Sequence, residues 1–312
     1  MKKEKIIDII IPTYKPNKDF LDVIEKLEKQ TIKPNKIILM NTEERYAKKF
    51  LEETKILERF DNIEIHHVSE AEFDHGKTRD MGVQCSKAPY FLCMTQDAVP
   101  ANEFLLEELI KVLEEEGVAS VYGQQLARKN AHLLENFTRK FNYPGQSSIK
   151  SIKDLERLGI KTYFCSNVCA AYRRDVYEQL GGFIKKTIFN EDMIYAAAVI
   201  KAGYKIGYAA NAQVIHSHYY TGKQQFHRNF DLGVSQADHP EVFQKVPSEK
   251  EGTKLVSETL KYLVKEKHME QILPFVYQCG CKYLGYRMGK AYRKLPMWLV
   301  KKCSMNRNYW KV

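Results

Sequence analysis

The N-terminal third of the chain alternates between strand-like and helix-like segments, and this alternation constrains the fold more than any other feature of the sequence. Apolar runs typical of buried strands stand at residues 6–11, 37–40, 63–68 and 90–95. Segments predicted to be helical separate them, at residues 18–30, 51–60 and 78–85. Such an alternation favours an α/β fold, in which a Rossmann-like, mostly parallel sheet is covered by helices.

The carboxyl ends of these strands predict a binding site, because open α/β sheets bind their ligands beyond that edge. The residues that follow the first, second and fourth strands are Pro12-Thr13-Tyr14, Asn41-Thr42-Glu43 and Gln96-Asp97. Pro12 is expected to end the first strand. We therefore expect the N-terminal part of the sheet to bind a nucleotide.

The elements beyond the fourth strand are less regular. Helices are predicted at residues 102–116, 175–180 and 191–202, and strands at residues 118–122, 164–172, 204–209 and 212–216. The polar, irregular stretch 127–160 is typical of a long binding insertion. From about residue 226 the pattern is helical, so we divide the chain into an α/β domain, residues 1–225, and a C-terminal helical region, residues 226–312.

The positive charge of the chain is concentrated in residues 271–312. This segment contains nine Lys and Arg and no Asp or Glu, whereas the whole chain has a net charge of +10. Its aromatic residues are Phe275, Tyr277, Tyr283, Tyr286, Tyr292, Trp298, Tyr309 and Trp310. Cations and aromatics together favour a segment that lies on an anionic membrane surface. The alternative is a helical cap whose aromatics pack on the main domain.

Other classes of protein fit the composition poorly. Residues 1–270 are nearly neutral and carry no recognised RNA or DNA motif, which argues against a nucleic-acid partner. No stretch approaches the roughly 18 apolar residues that a membrane span needs. The basic start of the chain is followed by an isoleucine run that Asp8 interrupts, which argues against a signal peptide. The scattered cysteines lack zinc-ligand spacing and indicate reduced thiols in a cytoplasmic protein.

Two carboxylates that are distant in sequence are the strongest candidates for chemistry. Asp97 follows a predicted strand, where it can hold a divalent metal on a diphosphate. Asp192, with Glu191 beside it, opens a predicted helix, where it can take a proton from a hydroxyl group. Alone, Asp97 would be a turn residue and the acidic pair a helix terminus stabilised by the macrodipole. Together with a nucleotide-binding sheet, they predict sugar transfer from a nucleotide diphosphate.

Two further segments carry candidate ligands. His216 and His218 end a predicted strand, and we expect them to point to opposite faces, so that only His216 serves as a metal ligand. The alternative is a structural histidine. In the polar loop before the 78–85 helix, Gly76 permits close backbone approach, and Arg79 is placed to meet a phosphate or a base. The alternative there is a solvated loop with a surface arginine.

Several segments, taken in order, resemble family 2 glycosyltransferases of the GT-A fold, and specifically bacterial rhamnosyltransferases. They are Ile11-Pro12-Thr13-Tyr14, Phe73-Asp74-His75-Gly76-Lys77-Thr78-Arg79, Thr95-Gln96-Asp97-Ala98, the run from Cys165 to Arg174, Asn190-Glu191-Asp192, the run from Val214 to Tyr220 and the run from Phe226 to Gly233. The likeness spans nearly the whole chain.

The resemblance implies an inverting enzyme with a divalent metal, Mg²⁺ or Mn²⁺. Asp97 would be the surviving acid of the family's Asp-x-Asp motif, with Thr95 at the first position, and His216 would join it as a metal ligand. Asp192 would be the catalytic base, with Glu191 as its partner. The donor-binding residues would be Pro12, Thr13, Tyr14, Glu43, His75, Gly76, Arg79, Gln96 and Asp97. Ser166 and Asn167 would lie near the acceptor.

The function predicted on this basis is transfer of L-rhamnose from dTDP-β-L-rhamnose to a saccharide acceptor, expected to be lipid-linked, in cell-surface polysaccharide assembly. The protein would act in the cytoplasm, attached peripherally to the inner face of the cell membrane. One alternative is a UDP-hexose or UDP-N-acetylhexosamine donor. A nucleotidyltransferase would need a glycine- and lysine-rich loop, and Lys15-Pro16-Asn17-Lys18 has no glycine.

Overall fold

A nine-stranded sheet forms the centre of the computed structural model, which describes residues 5–311. Its strands are β1 (Ile7–Tyr14), β2 (Lys36–Thr42), β3 (Ile63–Val68), β4 (Tyr90–Met94), β5 (Val99–Pro100), β6 (Val118–Leu126), β7 (Ser148–Lys150), β8 (Cys169–Arg173) and β9 (Lys205–Ile215). The expectation about a signal peptide rests partly on residues 1–4, which lie outside the described residues.

Helices cover both faces of this sheet and form the C-terminal region. They are α1 (Lys18–Glu28), α2 (Glu44–Thr54), α3 (Ile56–Arg59), α4 (His75–Cys85), α5 (Leu105–Leu113), α6 (Leu133–Asn142), α7 (Leu155–Leu158), α8 (Arg174–Gln179), α9 (Glu191–Lys201), α10 (Gly222–Asp238), α11 (Pro240–Phe243), α12 (Glu249–Lys265), α13 (Ile272–Lys290) and α14 (Met297–Cys303). Short 3₁₀ turns lie at Ile152–Asp154, Gly159–Tyr163, Met269–Gln271, Tyr292–Lys294 and Arg307–Trp310.

The strand order confirms the α/β prediction. Along the sheet the order is β3-β2-β1-β4-β8-β6-β9-β5, and β7 pairs with β9. The four N-terminal strands are parallel, whereas β8 runs antiparallel to both β4 and β6. The carboxyl ends of β1, β2 and β4 therefore meet at one edge, as the sequence predicts for the binding site.

Successive side chains of β1 alternate between the two faces of the sheet, and this explains why helices cover both faces. Ile9 and Ile11 pack with Phe20 of α1 on one side of the sheet. Ile10, between them, packs with Val83 of α4 on the other side. Because successive side chains of a strand point to opposite faces, one apolar strand contributes to two cores. Each buried aliphatic side chain contributes about 1.5–3 kcal/mol to folding.

The prediction that Pro12 ends the first strand is wrong. β1 continues to Tyr14, because its pairing with β2 runs on to Thr42 while its pairing with β4 stops at Ile10. Pro12 has no N–H to donate, and it lies where one neighbour of β1 has already diverged.

Other predicted boundaries also shift. The helix predicted at 51–60 is two helices, α2 and α3, separated at Lys55, whose φ is +51°. The stretch 127–160 is not irregular throughout, since it contains α6, and the strand predicted at 164–172 is the shorter β8. The two strands predicted at 204–216 are the single strand β9. Its register against β6 jumps between Ala209 and Gln213, which indicates a bulge.

Close backbone contact joins α10 to α13 in the C-terminal region. A Cβ atom on Gly285 would lie 2.2 Å from the carbonyl oxygen of Phe226, and one on Gly289 would lie 2.1 Å from that of Phe230. Only glycine permits this approach. The predicted division at residue 225 falls inside α10, and the two-part organisation stays a prediction. Within residues 5–311, the helices are too short or too polar to cross a bilayer.

Candidate active site

Asp192 lies in the first turn of α9, at the wall of a cavity of about 230 Å³. Its Oδ2 accepts a hydrogen bond from the Asn167 N–H at 3.1 Å, and its Oδ1 accepts one from the Met193 N–H at 2.8 Å. The predicted site residues that line this cavity are His75, Arg79, Ser166, Asn167, Glu191 and Asp192. The structure therefore brings the predicted base together with the residues that the resemblance places near the acceptor.

Glu191, the neighbour of Asp192, is held as a buried anion. It is 7% exposed, and its Oε1 lies 3.1 Å from Nη1 of Arg79 and accepts a hydrogen bond from Asn167 Nδ2 at 3.2 Å. Burial alone would raise the pKa of Glu191, but the charge of Arg79, together with His75 and the Asn167 hydrogen bond, holds it below its usual range. Glu191 is thus ionised at neutral pH.

The same surroundings raise the pKa of Asp192, whereas they lower that of Glu191. Burial, followed by the negative charge of Glu191, raises the pKa of Asp192 to about 7, against the hydrogen bonds from Asn167 and Met193. A carboxylate whose pKa lies near the working pH is suited to general-base catalysis. Of the two adjacent acids, one is therefore a fixed charge and the other can exchange a proton.

Arg79 is a buried partner of this pair rather than a surface residue. It is 5% exposed, and it lies in the second turn of α4, because that helix begins at His75 and not at the predicted residue 78. Its Nη1 also donates to the carbonyl oxygen of His75 at 3.0 Å. The glycine in the same motif, Gly76, is required by close approach, since a Cβ there would lie 2.0 Å from the carbonyl oxygen of Ile184.

A second cluster lies at the end of β4, where Asp97 meets two histidines. Asp97 Oδ2 lies 2.9 Å from Nε2 of His218 and 3.5 Å from Nε2 of His216. The prediction that only one histidine faces the site is wrong. Residues two apart on a strand point to the same face, and here both histidines follow the end of β9 at Ile215.

The three side chains fit a divalent metal. Their ligand atoms all lie within 4.8 Å of one another. Burial lowers the pKa of His216, which favours the neutral form that binds metals. Burial works to raise the pKa of Asp97, but its contacts with His216 and His218 outweigh burial and hold the pKa well below the usual range. A carboxylate and two imidazoles are thus available.

Gln125 of β6 connects the two clusters and was missed in the sequence. Its Oε1 accepts a hydrogen bond from Arg139 of α6 and lies 3.0 Å from Nδ1 of His216, while its Nε2 donates to Ser166 Oγ at 3.1 Å. The Arg139 contact fixes the orientation of the amide, so Oε1 faces Nδ1 of His216 and holds the imidazole with its Nε2 towards Asp97. A lone glutamine in a strand carries no sequence signal for this role.

Of the predicted donor-binding residues, His75 and Arg79 line the Asp192 cavity, whereas Pro12, Thr13, Tyr14 and Glu43 lie at the ends of β1 and β2, outside it. Gln96 fixes Tyr14 by accepting from its N–H at 2.9 Å and donating to its carbonyl oxygen at 3.0 Å. The Tyr14 ring is 45% exposed and meets Tyr46 edge to face at 5.3 Å, with the Lys15 ammonium over both rings. Tyr46 and Lys15 were not singled out in the sequence, because isolated surface residues show no pattern.

Three other predicted donor residues lie on the same edge. Thr13 is buried and donates to Asn41 Oδ1 at 3.3 Å, next to half-buried Pro12. Glu43 adopts a positive φ of +61°, and its Oε1 accepts from the Glu70 N–H at 2.8 Å. One carboxylate oxygen of Glu43 is therefore already engaged with the backbone.

Comparison with known proteins relates this geometry to a family. A family model described as Glycosyl transferase family 2 matches residues 8–181. The chain is 37% identical over 306 residues to the O-antigen chain rhamnosyltransferase RfbN of Salmonella typhimurium, covering 97% of this chain and 96% of that protein. It is 36% identical over 305 residues to the O-antigen chain rhamnosyltransferase WbaN of Salmonella anatum, covering 97% and 95%.

Among solved structures, the chain resembles the mannosyltransferase PcManGT of Pyrobaculum calidifontis, described in complex with GDP-Man and Mn²⁺. The TM-score is 0.56 at 14% identity, over 97% of this chain and 84% of that one. This likeness confirms the predicted GT-A fold.

The electrostatic account of Asp192 predicts an unusual titration. With ¹³C-labelled aspartate, the carboxyl resonance of Asp192 should titrate near pH 7, whereas ordinary aspartates titrate near about 4. Glu191→Gln removes the adjacent negative charge, so the pKa of Asp192 should fall. Glu178→Gln, on the surface of α8, is the control and should leave it unchanged. Titration of Asp192 near pH 4 in the unmodified protein would contradict the account.

Proposed function

The chain belongs to glycosyl transferase family 2, and from this premise we propose that it transfers L-rhamnose from dTDP-β-L-rhamnose to a lipid-linked saccharide in cell-surface polysaccharide biosynthesis. The choice of sugar rests on the names of its two rhamnosyltransferase relatives. The observation that carries the assignment of roles is a half-buried Asp192 with a raised pKa, in a cavity whose Ser166 is joined through Gln125 to an Asp–His–His cluster.

The proposed reaction is a single displacement with inversion. The oxygen of an acceptor hydroxyl attacks C1 of the rhamnosyl group, and the bond between C1 and the phosphate oxygen breaks, releasing dTDP. The hydroxyl proton passes to Asp192. Inversion converts the β-linked donor into an α-linked product. A base with a pKa near 7 takes this proton and can return it to water between turnovers.

Glu191 and Arg79 position and tune this base rather than react. Their ion pair is less than one-tenth exposed, so solvent screens its charge only weakly. The Asn167 side chain donates to Glu191 while its backbone N–H donates to Asp192. The residue predicted to lie near the acceptor thus aligns both carboxylates.

Asp97, His216 and His218 would hold a divalent metal, for which we propose Mn²⁺. When bound, the metal would neutralise the charge that develops on the departing diphosphate. Imidazole ligands suit a first-row transition ion better than Mg²⁺, which prefers oxygen. The PcManGT structure, which has a similar fold, is described with Mn²⁺.

The nucleotide of the donor is proposed to bind at the ends of β1 and β2. The exposed Tyr14 ring, backed by Tyr46, offers an aromatic face for the base. Lys15 adds positive charge above both rings, where the nucleotide's phosphates can approach. Gln96 ties Tyr14 to the segment that carries Asp97, so the base and diphosphate sites keep a fixed separation.

A donor assay tests the function. The protein with Mn²⁺ should release dTDP from dTDP-rhamnose faster than it releases UDP from UDP-hexoses or UDP-N-acetylhexosamines, and EDTA should suppress release. Asp192→Asn should lower kcat at least about a hundredfold, the usual effect of removing a base. Asp175→Asn is a matched control, because Asp175 also accepts from the next residue's N–H in a first helical turn but lies on the surface.

Two results would contradict the proposal. If the protein prefers a UDP-sugar, rhamnose is rejected as the donor sugar, and the assignment to the family stands. Equal rates for the unmodified protein and Asp192→Asn would reject Asp192 as the base.

The C-terminal region supports a second part of the proposal, attachment to the cytoplasmic face of the cell membrane. Some of its aromatics pack inward, as the cap alternative predicts: Phe275 and Tyr286 are buried, and Tyr292 donates to Asp238 at 2.6 Å. Others are exposed, together with large aliphatic residues of α13 and α14, and we propose that they form one apolar surface. Its members are Leu273, Val276, Tyr277, Leu284, Met297 and Trp298.

Exposed cations accompany this apolar surface. Of the nine Lys and Arg in residues 271–312, eight are exposed, and within the part of the chain described only Arg293 forms an ion pair, with Asp238. Leu273, Val276, Tyr277 and Leu284 follow helical spacing along one side of α13. An amphipathic surface of this kind binds by burying its apolar residues between lipid headgroups while its cations meet anionic lipids.

Vesicle flotation tests the membrane attachment. The protein should float with phosphatidylglycerol vesicles at low salt, less at high salt because charge is screened, and not with phosphatidylcholine vesicles. Leu273→Gln with Trp298→Gln should weaken partitioning by about tenfold or more. Leu57→Gln, which changes an exposed leucine on α3, should have no effect. Absence of binding to the anionic vesicles would end this part of the proposal.

A further inference from the structure

Asn190, which lines the Asp192 cavity, has a backbone conformation that is uncommon for its position. It is the N-cap of α9, and its φ and ψ are +66° and +22°, in the left-handed region. N-cap residues usually adopt an extended conformation, and their side chains usually accept a hydrogen bond from the helix. Asn190 does neither. None of the roles proposed above uses this residue.

Burial distinguishes Asn190 from the other residues with this conformation. Within residues 5–311, positive φ occurs at five non-glycine residues, and only Asn190 among them is buried, at 5% exposed. Asparagine tolerates the left-handed region better than most residues, but a buried residue keeps this conformation only where the surrounding structure imposes it. The contacts of Asn190 therefore show which part of the protein controls this turn.

One hydroxyl group on α10 holds Asn190 and the residue before it. Ser235 Oγ accepts a hydrogen bond from Asn190 Nδ2 at 3.1 Å and donates one to the carbonyl oxygen of Phe189 at 2.6 Å. Both Asn190 and Ser235 are buried. Because the single hydroxyl proton of Ser235 is used on a carbonyl oxygen, which can only accept, the Asn190 amide must present its Nδ2. The two side chains therefore hold each other in one orientation.

The segment that leads to Asn190 is also fixed by α4. The N–H of Thr187 donates to Oδ2 of Asp74, the N-cap of α4, at 3.0 Å. Thr187 Oγ1 donates to the carbonyl oxygen of Phe189 at 2.7 Å. The peptide that joins Phe189 to Asn190 is thus held by two hydroxyl groups, one from its own segment and one from Ser235 of α10.

The turn at Asn190 determines how the first turn of α9 is rotated. Adjacent residues of an α-helix point about 100° apart, so Glu191 and Asp192 face different groups. Glu191 Oε1 lies 3.1 Å from Nη1 of Arg79, and Asp192 Oδ2 accepts from the Asn167 N–H at 3.1 Å. A different backbone conformation at Asn190 would rotate this turn and move both carboxylates away from these partners.

We propose that the Asn190–Ser235 pair positions the base, because it holds the left-handed turn that directs Glu191 to Arg79 and Asp192 into the cavity. Asn190 is a positioning residue rather than a catalytic one, since its Nδ2 is engaged with Ser235. Through Ser235, the C-terminal region takes part in forming the active site. The inference rests on the proposed function, because it takes Asp192 as the base.

Substitutions that separate the backbone conformation from the side-chain contact test the proposal. Asn190→Ala removes the amide and disfavours the left-handed turn, so kcat for dTDP release from dTDP-rhamnose should fall about tenfold. Asn190→Gly removes the same amide but permits the turn, so its kcat should exceed that of Asn190→Ala. Ser235→Ala removes the hydroxyl group of α10 and should lower kcat by about threefold to tenfold. The affinity for dTDP with Mn²⁺ should be unchanged in all three variants.

The ¹³C carboxyl titration of Asp192 reports its position without turnover. Each variant keeps the titratable groups around Asp192, which are His75, Arg79, Cys165, Glu191 and Arg228. A displaced Asp192 would be less buried and farther from its present neighbours. In Asn190→Ala and Ser235→Ala its pKa should therefore fall from about 7 towards the ordinary value of an aspartate.

Lys55→Ala is the matched control for backbone strain. Lys55 also has a positive φ, of +51°, but it is exposed, lies between α2 and α3 and does not line the cavity. Alanine there meets the same backbone penalty as at Asn190. This variant should lower the melting temperature and leave both kcat and the titration of Asp192 unchanged.

Two results would overturn the proposal. One is an equal kcat and an equal titration of Asp192 in the unmodified protein, Asn190→Ala and Ser235→Ala. The other is a loss of dTDP affinity that parallels the loss of kcat, which would indicate general disruption of the site. If Asn190→Ala does not fold, Ser235→Ala and Asn190→Gly decide by the same measurements. If Asp192→Asn keeps full activity, the proposed function fails, and the titration still decides whether the pair positions this carboxylate.

Discussion

The buried ion pair between Arg79 and Glu191 determines which of two adjacent carboxylates carries a fixed charge. Without Arg79, two acids at the start of α9 would compete for a proton, and their roles would not be distinct. With it, Glu191 stays ionised, and its charge adds to burial in raising the pKa of Asp192. Breaking a buried pair by removing one partner typically costs about 3–5 kcal/mol. The pair therefore links the stability of the α4–α9 contact to the pKa of the proposed base.

The rest of the site is arranged around this contact. Gln125 connects the cavity to the metal-binding cluster, so the residues that would stabilise the leaving group and those that would receive the proton share one hydrogen-bonded frame. The C-terminal region also contributes to the wall of the cavity, because Arg228 of α10 lines it. In the proposed function, the outer face of that region lies on the membrane, which would bring a lipid-linked acceptor to the cavity from the bilayer side.

Much of the fold and part of the site follow from the sequence. The alternation of apolar runs and helical segments predicts the parallel part of the sheet, and the ends of its strands predict where Tyr14 and Asp97 lie. Asp192 and Arg79 were singled out because each stands near the start of a predicted helix. Local patterns failed where distant contacts decide the structure, as for Pro12, whose strand continues because β2 runs alongside it.

The remaining features depend on pairs of residues that no local pattern joins. Arg79 and Glu191 are distant in sequence, and so are Gln125 and His216, so neither contact leaves a spacing to recognise. The pairing of both histidines with Asp97 was missed through a wrong assignment of faces, since residues two apart share one side of a strand. Arg228 stood within a recognised segment, but only the packing of α10 on α13 shows that it faces the cavity.

The central claim is that Asp192 is a base whose pKa is raised to near neutrality by burial and by the charge of Glu191 beside it. The most direct measurement is the pH dependence of kcat/KM for sugar transfer between pH 5 and pH 8. A base acts only when deprotonated, so the rate should be half-maximal near pH 7 and fall about tenfold for each pH unit below it. A rate that stays constant down to pH 5 would contradict the account.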